Sequence, residues 1–350
     1  MLDLYQKIEK HLDDKLPFVV YSKPNSTKIS AVFQNDAQLH EIKDFTEIGF
    51  AFVSFDGSKK YYIPSETSDI YSEALQDEDF FFTNNELNFD AETRVNFEKL
   101  VQNGITAIEN NQFEKVVLSR TEKVATLDFD VVKTFKMLLQ LYPSAFKYCF
   151  CHPEIGFWIG ATPEQFIKID ENNLKTVALA GTQIFSENVI WQTKEKEEQL
   201  FVSNFIVDNL KDFSDEISVS EPYTFQAGSI CHIKTDIDVI LNDKNDLEKI
   251  IQKLHPTPAV CGLPKENAKE FIIKNEGYNR EFYSGFLGEL NVDIASLRRD
   301  KSDLFVNLRC MKVEEKSVNL YIGCGITKDS NPQKEFMETV NKSMTMKKVL

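Results

Sequence analysis

Tyr321-Ile-Gly-Cys-Gly-Ile-Thr-Lys-Asp-Ser-Asn-Pro-Gln-Lys-Glu-Phe-Met-Glu-Thr-Val-Asn-Lys342 is the stretch on which the reading of this chain turns. It begins as a β-like run, passes through a Gly323-Cys324-Gly325 turn and continues as a helix. Asn331 reads as the N-cap and Pro332 as the first helical residue, where a missing N–H costs nothing. At about 100° per residue, Glu335, Glu338 and Lys342 share one stripe, while Phe336, Val340 and Met344 lie roughly opposite. Two carboxylates and an ammonium therefore project together. On its own this is the solvated face of a C-terminal helix. The preceding Gly-x-Gly adds bare backbone that a ligand could approach near a helix N-terminus, where anions are favoured.

Working outward, 350 residues at 42% hydrophobic content suffice for a substantial core, as two domains or one large one. A formal charge of −15 argues against nucleic acid or an anionic membrane surface as partner. A small anionic ligand would need a local basic pocket. The N-terminus carries no apolar targeting segment, and no stretch approaches the ~18 apolar residues of a membrane span, so a cytoplasmic protein is expected. Cys149, Cys151, Cys231, Cys261, Cys310 and Cys324 form no C-x-x-C pair, and buried reduced thiols are expected rather than a zinc site or a disulfide framework.

Residues 1–90 read as an opening helix followed by short Phe- and Tyr-rich β-runs, a supporting part without a chemistry-bearing motif. Ala91 to Asn110 has helical periodicity, and Lys115-Val-Val-Leu-Ser-Arg120 reads as a strand with Lys115 at its start. A lysine there is usually solvated; desolvated, it could serve as a base. Val131 to Leu141 is an amphipathic helix ended by Pro143. Phe157 to Glu164 reads as a strand that breaks at Gly160 into a turn with Glu164 at its tip. Leu174 to Ala180 reads as a strand ending at Gly181-Thr182. In the helix after Thr193, Glu198 falls on the apolar side, where a carboxylate is expensive unless paired or metal-bound, whereas Glu195 and Glu197 read as solvated charge. Glu276 has Arg280 four residues on as an ion-pair partner. Pro256, Pro258 and Pro264 make the loop from His255 a fixed wall. Leu304–Val313 and Val318–Ile326 read as a hairpin, with Arg309 inside its first strand as a clamp for an acidic substrate or a salt-bridge partner.

Taken together and in order, Lys115-Val-Val-Leu-Ser-Arg120, Gly160-Ala-Thr-Pro-Glu164, Leu179-Ala-Gly-Thr182, His255-Pro-Thr-Pro-Ala-Val260, Glu276-x-x-x-Arg280-x-x-Tyr283-x-Gly285 and Gly323-x-Gly-Ile with Glu335, Glu338 and Lys342 resemble the chorismate-utilising enzymes, closest to their isochorismate synthase branch. The resemblance runs from about residue 91 to the C-terminus, and residues 1–90 join by continuity. It implies an α/β (α+β) fold of two facing, largely antiparallel β-sheets with helices outside, packed as one domain with a catalytic region at 91–350.

The resemblance further implies magnesium-dependent conversion of chorismate to isochorismate. Lys115 matches the general base that activates water for attack at C2, and Glu164 the general acid that protonates the departing C4 hydroxyl. Glu198, Glu335 and Glu338 match magnesium-binding carboxylates, Glu335 through water. Ala180, Gly181, Thr182, His255, Arg309, Gly323, Gly325 and Lys342 match substrate-holding positions. Magnesium suits oxygen donors and would offset the substrate's carboxylates. Relatives of this branch feed menaquinone or siderophore synthesis; the alternatives are a salicylate synthase, which shares the first step and then eliminates pyruvate, and behind it an anthranilate synthase component I or a non-catalytic chorismate-binding subunit. Lys115 favours water over ammonia, so no glutamine amidotransferase subunit is expected, and Ala180 stands where aminodeoxychorismate synthases carry a nucleophilic lysine. Two departures are Cys324, where alanine is usual, and Gln199 after Glu198, where histidine is frequent.

Overall fold

The computed structural model describes residues 3–75, 89–127, 129–186, 189–227 and 230–350. Two large sheets face each other. The first runs, in spatial order, through Gly262–Leu263, Lys115–Ala125, Ser317–Ile326, Cys310–Val313, Gly156–Thr162, Phe146–His152, Phe18–Ser22, Lys28–Gln34 and Ser68–Ala74. The second runs through Glu216–Val219, Ile230–Ile240, Asn173–Ile184, Gln165–Asp170, Lys301–Val306, Phe286–Leu290, Gly49–Val53, Lys60–Pro64 and His40–Glu41, with Tyr223–Ala227 branching onto Ile230–Ile240. Every pairing among the described strands is antiparallel. Strands from the first 75 residues enter both sheets.

The layers follow from where apolar side chains accumulate. Between the sheets lies an aromatic core in which Phe52 stacks on Phe282 and Phe146 on Phe305, each pair at 4.2 Å, with Trp158 on Tyr321 at 5.1 Å. Helices Leu4–Asp13 and Val131–Leu141 cover the outer face of the first sheet. Thr193–Leu210 and Leu247–Leu254 cover that of the second. Ala91–Glu109, Lys265–Asn275 and Pro332–Lys347 close over the end of the first sheet that holds Lys115–Ala125. The last of these begins as expected: Asn331 Oδ1 accepts from Lys334 N at 3.0 Å and Pro332 opens the helix.

Several boundaries differ from the sequence reading. The Gly323-Cys324-Gly325 segment is not a turn but the interior of the Ser317–Ile326 strand, with Gly323 opposite Ser119 and Gly325 opposite Val117. The strand from Gly156 does not break at Gly160 but runs to Thr162, and Asn173–Ile184 passes Gly181 and Thr182 through a bulge. Leu304–Val313 is two strands in different sheets, joined by Asn307-Leu308-Arg309 with Arg309 at φ 48°.

That last correction shows what positions the site. The chain crosses from the first sheet to the second at Pro163-Glu164 and returns at Asn307-Leu308-Arg309, and the two crossings lie side by side. Ala161 N–H donates to Arg309 O and Val306 N–H to Glu164 O, both at 3.0 Å. The fully buried Thr162 hydroxyl donates to Val306 O at 2.6 Å and accepts from Glu164 N at 3.3 Å. Asn307, also fully buried, spends its amide on Phe282 O and the Tyr148 hydroxyl, at 3.0 and 2.6 Å. Thr162→Val should therefore lower stability by about 1–3 kcal/mol, because it strands buried backbone groups, while Thr162→Ser stays near wild type. Urea unfolding of the two variants checks this, and equal stability would remove the hydroxyl from the account.

Candidate active site

Where the crossings meet the C-terminal helix and the Thr193–Leu210 helix, a chamber of about 340 Å³ opens. Its wall includes Glu164, Ala180, Gly181, Glu198, Arg309, Gly323, Gly325, Glu335, Glu338 and Lys342, so the structure brings together ten of the thirteen residues singled out from the sequence. Lys115 lies immediately behind this wall. It is fully buried, with Nζ 3.0 Å from Glu198 Oε1, which answers how a carboxylate is tolerated on the apolar side of that helix. Gly325 makes the pairing possible: a Cβ there would collide with the Glu198 carboxylate. His255 is not brought to the chamber. Its Nε2 meets Ser54 O at 3.0 Å and its ring stands edge-on to Phe166 and Phe286. The Thr182 side chain lies outside the described residues.

Glu164 is the residue whose surroundings say most. It is 5% exposed, and burial raises its carboxyl from 4.5 to about 7, against the opposing pull of Lys115, Arg309 and Lys342. A carboxyl poised there can donate a proton near neutrality. Arg309 sits on the neighbouring crossing. Burial lowers its pKa without discharging a guanidinium, and its Nη1 has no hydrogen-bond partner among the described residues. Lys342 Nζ is 2.6 Å from Glu338 Oε1 and donates to Gly323 O at 3.1 Å. A Cβ on Gly323 would stand 2.8 Å from the Tyr283 hydroxyl and 2.9 Å from the backbone Leu118 O, so the position is kept bare.

Sequence reasoning missed other wall residues. Glu195 is no simple solvated charge: it lines the chamber and its Oε2 accepts from Gln192 N at 3.0 Å. The signal was present, since it precedes Glu198 by one helical turn. His232 also lines the wall, with Nδ1 2.9 Å from Gly181 O, and burial beside Arg309 and Lys342 pushes it down to about 3. A carbonyl only accepts, so the neutral ring carries its proton on Nδ1. Nothing in the alternating run around His232 distinguished it from core. Gln199 is explained by its bonds to Ser203 Oγ and Thr235 Oγ1, at 2.7 and 2.5 Å, which tie the helix to the second sheet.

The wall counts six acidic side chains (Glu164, Glu195, Glu198, Asp329, Glu335, Glu338) against Arg309, Lys334 and Lys342 among the described residues. With Lys115 behind it the balance stays negative, so an anionic ligand would meet repulsion unless a cation joined it. No three of these carboxylates converge on one point among the described residues. Their oxygens are the donor type that magnesium takes alongside retained water and substrate oxygens.

A family model described as chorismate binding enzyme matches residues 63–350. The salicylate biosynthesis isochorismate synthase of Pseudomonas aeruginosa is 28% identical over 271 residues, covering 74% of this chain and 56% of that protein. Isochorismate synthase EntC of Escherichia coli is 26% identical over 344 residues, 92% of this chain and 85% of that protein. The chain thus spans little more than half the length of the first relative. Among solved structures, the menaquinone-specific isochorismate synthase MenF of Escherichia coli matches with a TM-score of 0.80 at 18% identity, covering 100% of this chain and 91% of that one, a likeness of fold. No helix among the described residues is long and apolar enough to cross a membrane.

Glu164 makes a prediction about stability. Its carboxyl titrates at about 7 in the folded chain against 4.5 as a free side chain, so between these values the folded state binds the extra proton and stability falls as pH rises. Glu164→Gln removes that penalty. Relative to wild type, the variant should be on the order of 3 kcal/mol better off at pH 8 than at pH 5. Denaturant unfolding at both pH values measures it, and a difference independent of pH would mean that the carboxyl is not perturbed.

Proposed function

We propose that this chain, which belongs to the chorismate binding enzyme family, converts chorismate to isochorismate, with water entering at C2 and the C4 hydroxyl leaving. The observation that carries the reading is the buried Glu164, raised to about 7 in a chamber it shares with Arg309 and Lys342, with Lys115 behind the wall. An acid on a crossing between sheets and a base on a separate strand suit a reaction in which one hydroxyl replaces another. Glu164 donates its proton to the departing C4 oxygen. Lys115 Nζ, oriented by Glu198, receives the proton of the attacking water. Arg309 and Lys342 hold the substrate's carboxylates, and bare backbone at Gly181 and Gly323 lets the ring lie close. His232 is neutral with its proton on Nδ1 and so adds no competing cation.

Glu198 and Glu338, with Glu335 through water, would hold magnesium, which when bound supplies the positive charge that the wall lacks for a dianionic substrate. Lys115 favours water as nucleophile, so the reading includes no ammonia-supplying subunit.

Incubating the purified protein with chorismate, with and without magnesium and with ammonia in a parallel tube, tests this by chromatography of the products. Isochorismate formed only with magnesium is the expected result. Salicylate with pyruvate would add an elimination step, anthranilate would contradict the role given to Lys115, and no turnover would contradict the reading. Lys115→Ala and Glu164→Gln should each lower kcat by about 10²–10⁴-fold with the fold intact by circular dichroism. A variant that keeps wild-type kcat does not carry the proton assigned to it.

A further inference from the structure

Among the described residues, the strand that carries Lys115 has an incomplete edge. Along one side, Lys115–Ala125 pairs with Ser317–Ile326 over most of its length. Along the other, Leu263 and Gly262 face only Lys115 and Val116, and Val117 N–H donates to Cys261 O at 2.7 Å. Beyond that point two side chains take the place of a strand. Arg280 Nη2 donates to Val117 O at 2.7 Å, and Glu276 Oε1 accepts from Ser119 N at 2.7 Å and from Ser119 Oγ at 2.8 Å. Arg280 Nε bonds Glu276 Oε2 at 2.7 Å, Nη1 bonds Val260 O at 2.9 Å, and the guanidinium lies 4.4 Å over the Phe55 ring. The side chains of this pair are 2% and 1% exposed, Arg280 and Glu276 respectively.

A buried ion pair is a poor way to gain stability, since an apolar pair of similar volume often does as well. It does offer strand-like hydrogen bonds at a fixed height where no further strand pairs among the described residues. Those bonds fall within four residues of Lys115 and next to Ser119, whose Cβ lies 3.1 Å from where a Cβ on Gly323 would stand.

We infer that Glu276 and Arg280 are positioning residues: they complete the free edge of the Lys115 strand and thereby set Lys115 and the Gly323 backbone against the chamber. The catalytic consequence rests on the proposed function; the edge itself does not. Amide hydrogen exchange in peptides covering residues 115–120 reads the edge directly. Glu276→Gln keeps one acceptor oxygen where two are needed, so exchange there should accelerate at least about tenfold while distant strands keep their protection. With chorismate, kcat should fall about 10–100-fold and KM should stay within about threefold, because a small misplacement of a catalytic group costs rate while the charged anchors, Arg309 and Lys342, sit on other elements.

Glu289→Gln is the control. This second buried carboxylate, bonded to Tyr21 and Lys23, lies away from the Lys115 strand, and its loss should lower stability without lowering kcat. Should Glu276→Gln fail to fold, Ser119→Ala removes one arm alone and should lower kcat about threefold or more. Unchanged exchange at 115–120 in the folded variant overturns the edge. A kcat within twofold of wild type, a KM rise matching the kcat loss, or an equal kcat loss in Glu289→Gln overturns the positioning role. If wild-type protein turns over no chorismate, the functional reading fails and the exchange result still decides the edge.

Discussion

A chain that passes from one sheet to another must give up sheet hydrogen bonds where it crosses, and here the two crossings supply each other. Ala161, Glu164, Val306 and Arg309 exchange backbone bonds, the Thr162 hydroxyl bridges Val306 O and Glu164 N, and the buried Asn307 amide locks the return crossing to Tyr148 and Phe282. A buried acid and a guanidinium are thereby set side by side on backbone that is held from several directions. Side chains on such a frame lose little further freedom when a ligand binds. The two helices that close the chamber then need to contribute only charge.

The charge they contribute is mostly negative, and this shapes the chemistry. Glu198 is tolerated in an apolar setting because Lys115 meets it, and Lys115 is tolerated at full burial because Glu198 meets it. Glu338 and Lys342 repeat the arrangement across the wall. The first pair leaves its carboxylate on the wall with its cation behind, and the second presents both charges to the chamber, a layout in which a divalent ion and an anionic substrate neutralise each other's cost. Glu164 stands apart: burial outweighs its three cationic neighbours, which keeps its proton available near neutrality.

Much of this was legible in the sequence because local chemistry determined it. The Asn331-Pro332 helix start, the Ala91 and Val131 helices and the stripe of Glu335, Glu338 and Lys342 follow from capping rules and a 3.6-residue period, and the structure keeps them. The order of short motifs gave the family and two facing sheets. What local chemistry does not encode was misplaced. Alternation with a period of two continues through Val306 to Cys310 although the chain changes sheets there, so one strand was read where there are two. Gly323 and Gly325 look like turn residues because glycine usually frees φ; here each makes room for a side chain from elsewhere, the Tyr283 hydroxyl and the Glu198 carboxylate. His255 turns to Ser54, about two hundred residues earlier, a contact with no local signature.

The account stands on one chemical claim, that a water molecule enters the ring while the original hydroxyl departs. Running the magnesium-supplemented reaction in ¹⁸O-labelled water and analysing the isochorismate by mass spectrometry tests it. The account predicts one solvent-derived oxygen, located at the C2 hydroxyl. An isochorismate whose C2 hydroxyl carries the oxygen that chorismate brought would contradict it, because neither an activated water nor an acid-assisted departure would then be needed.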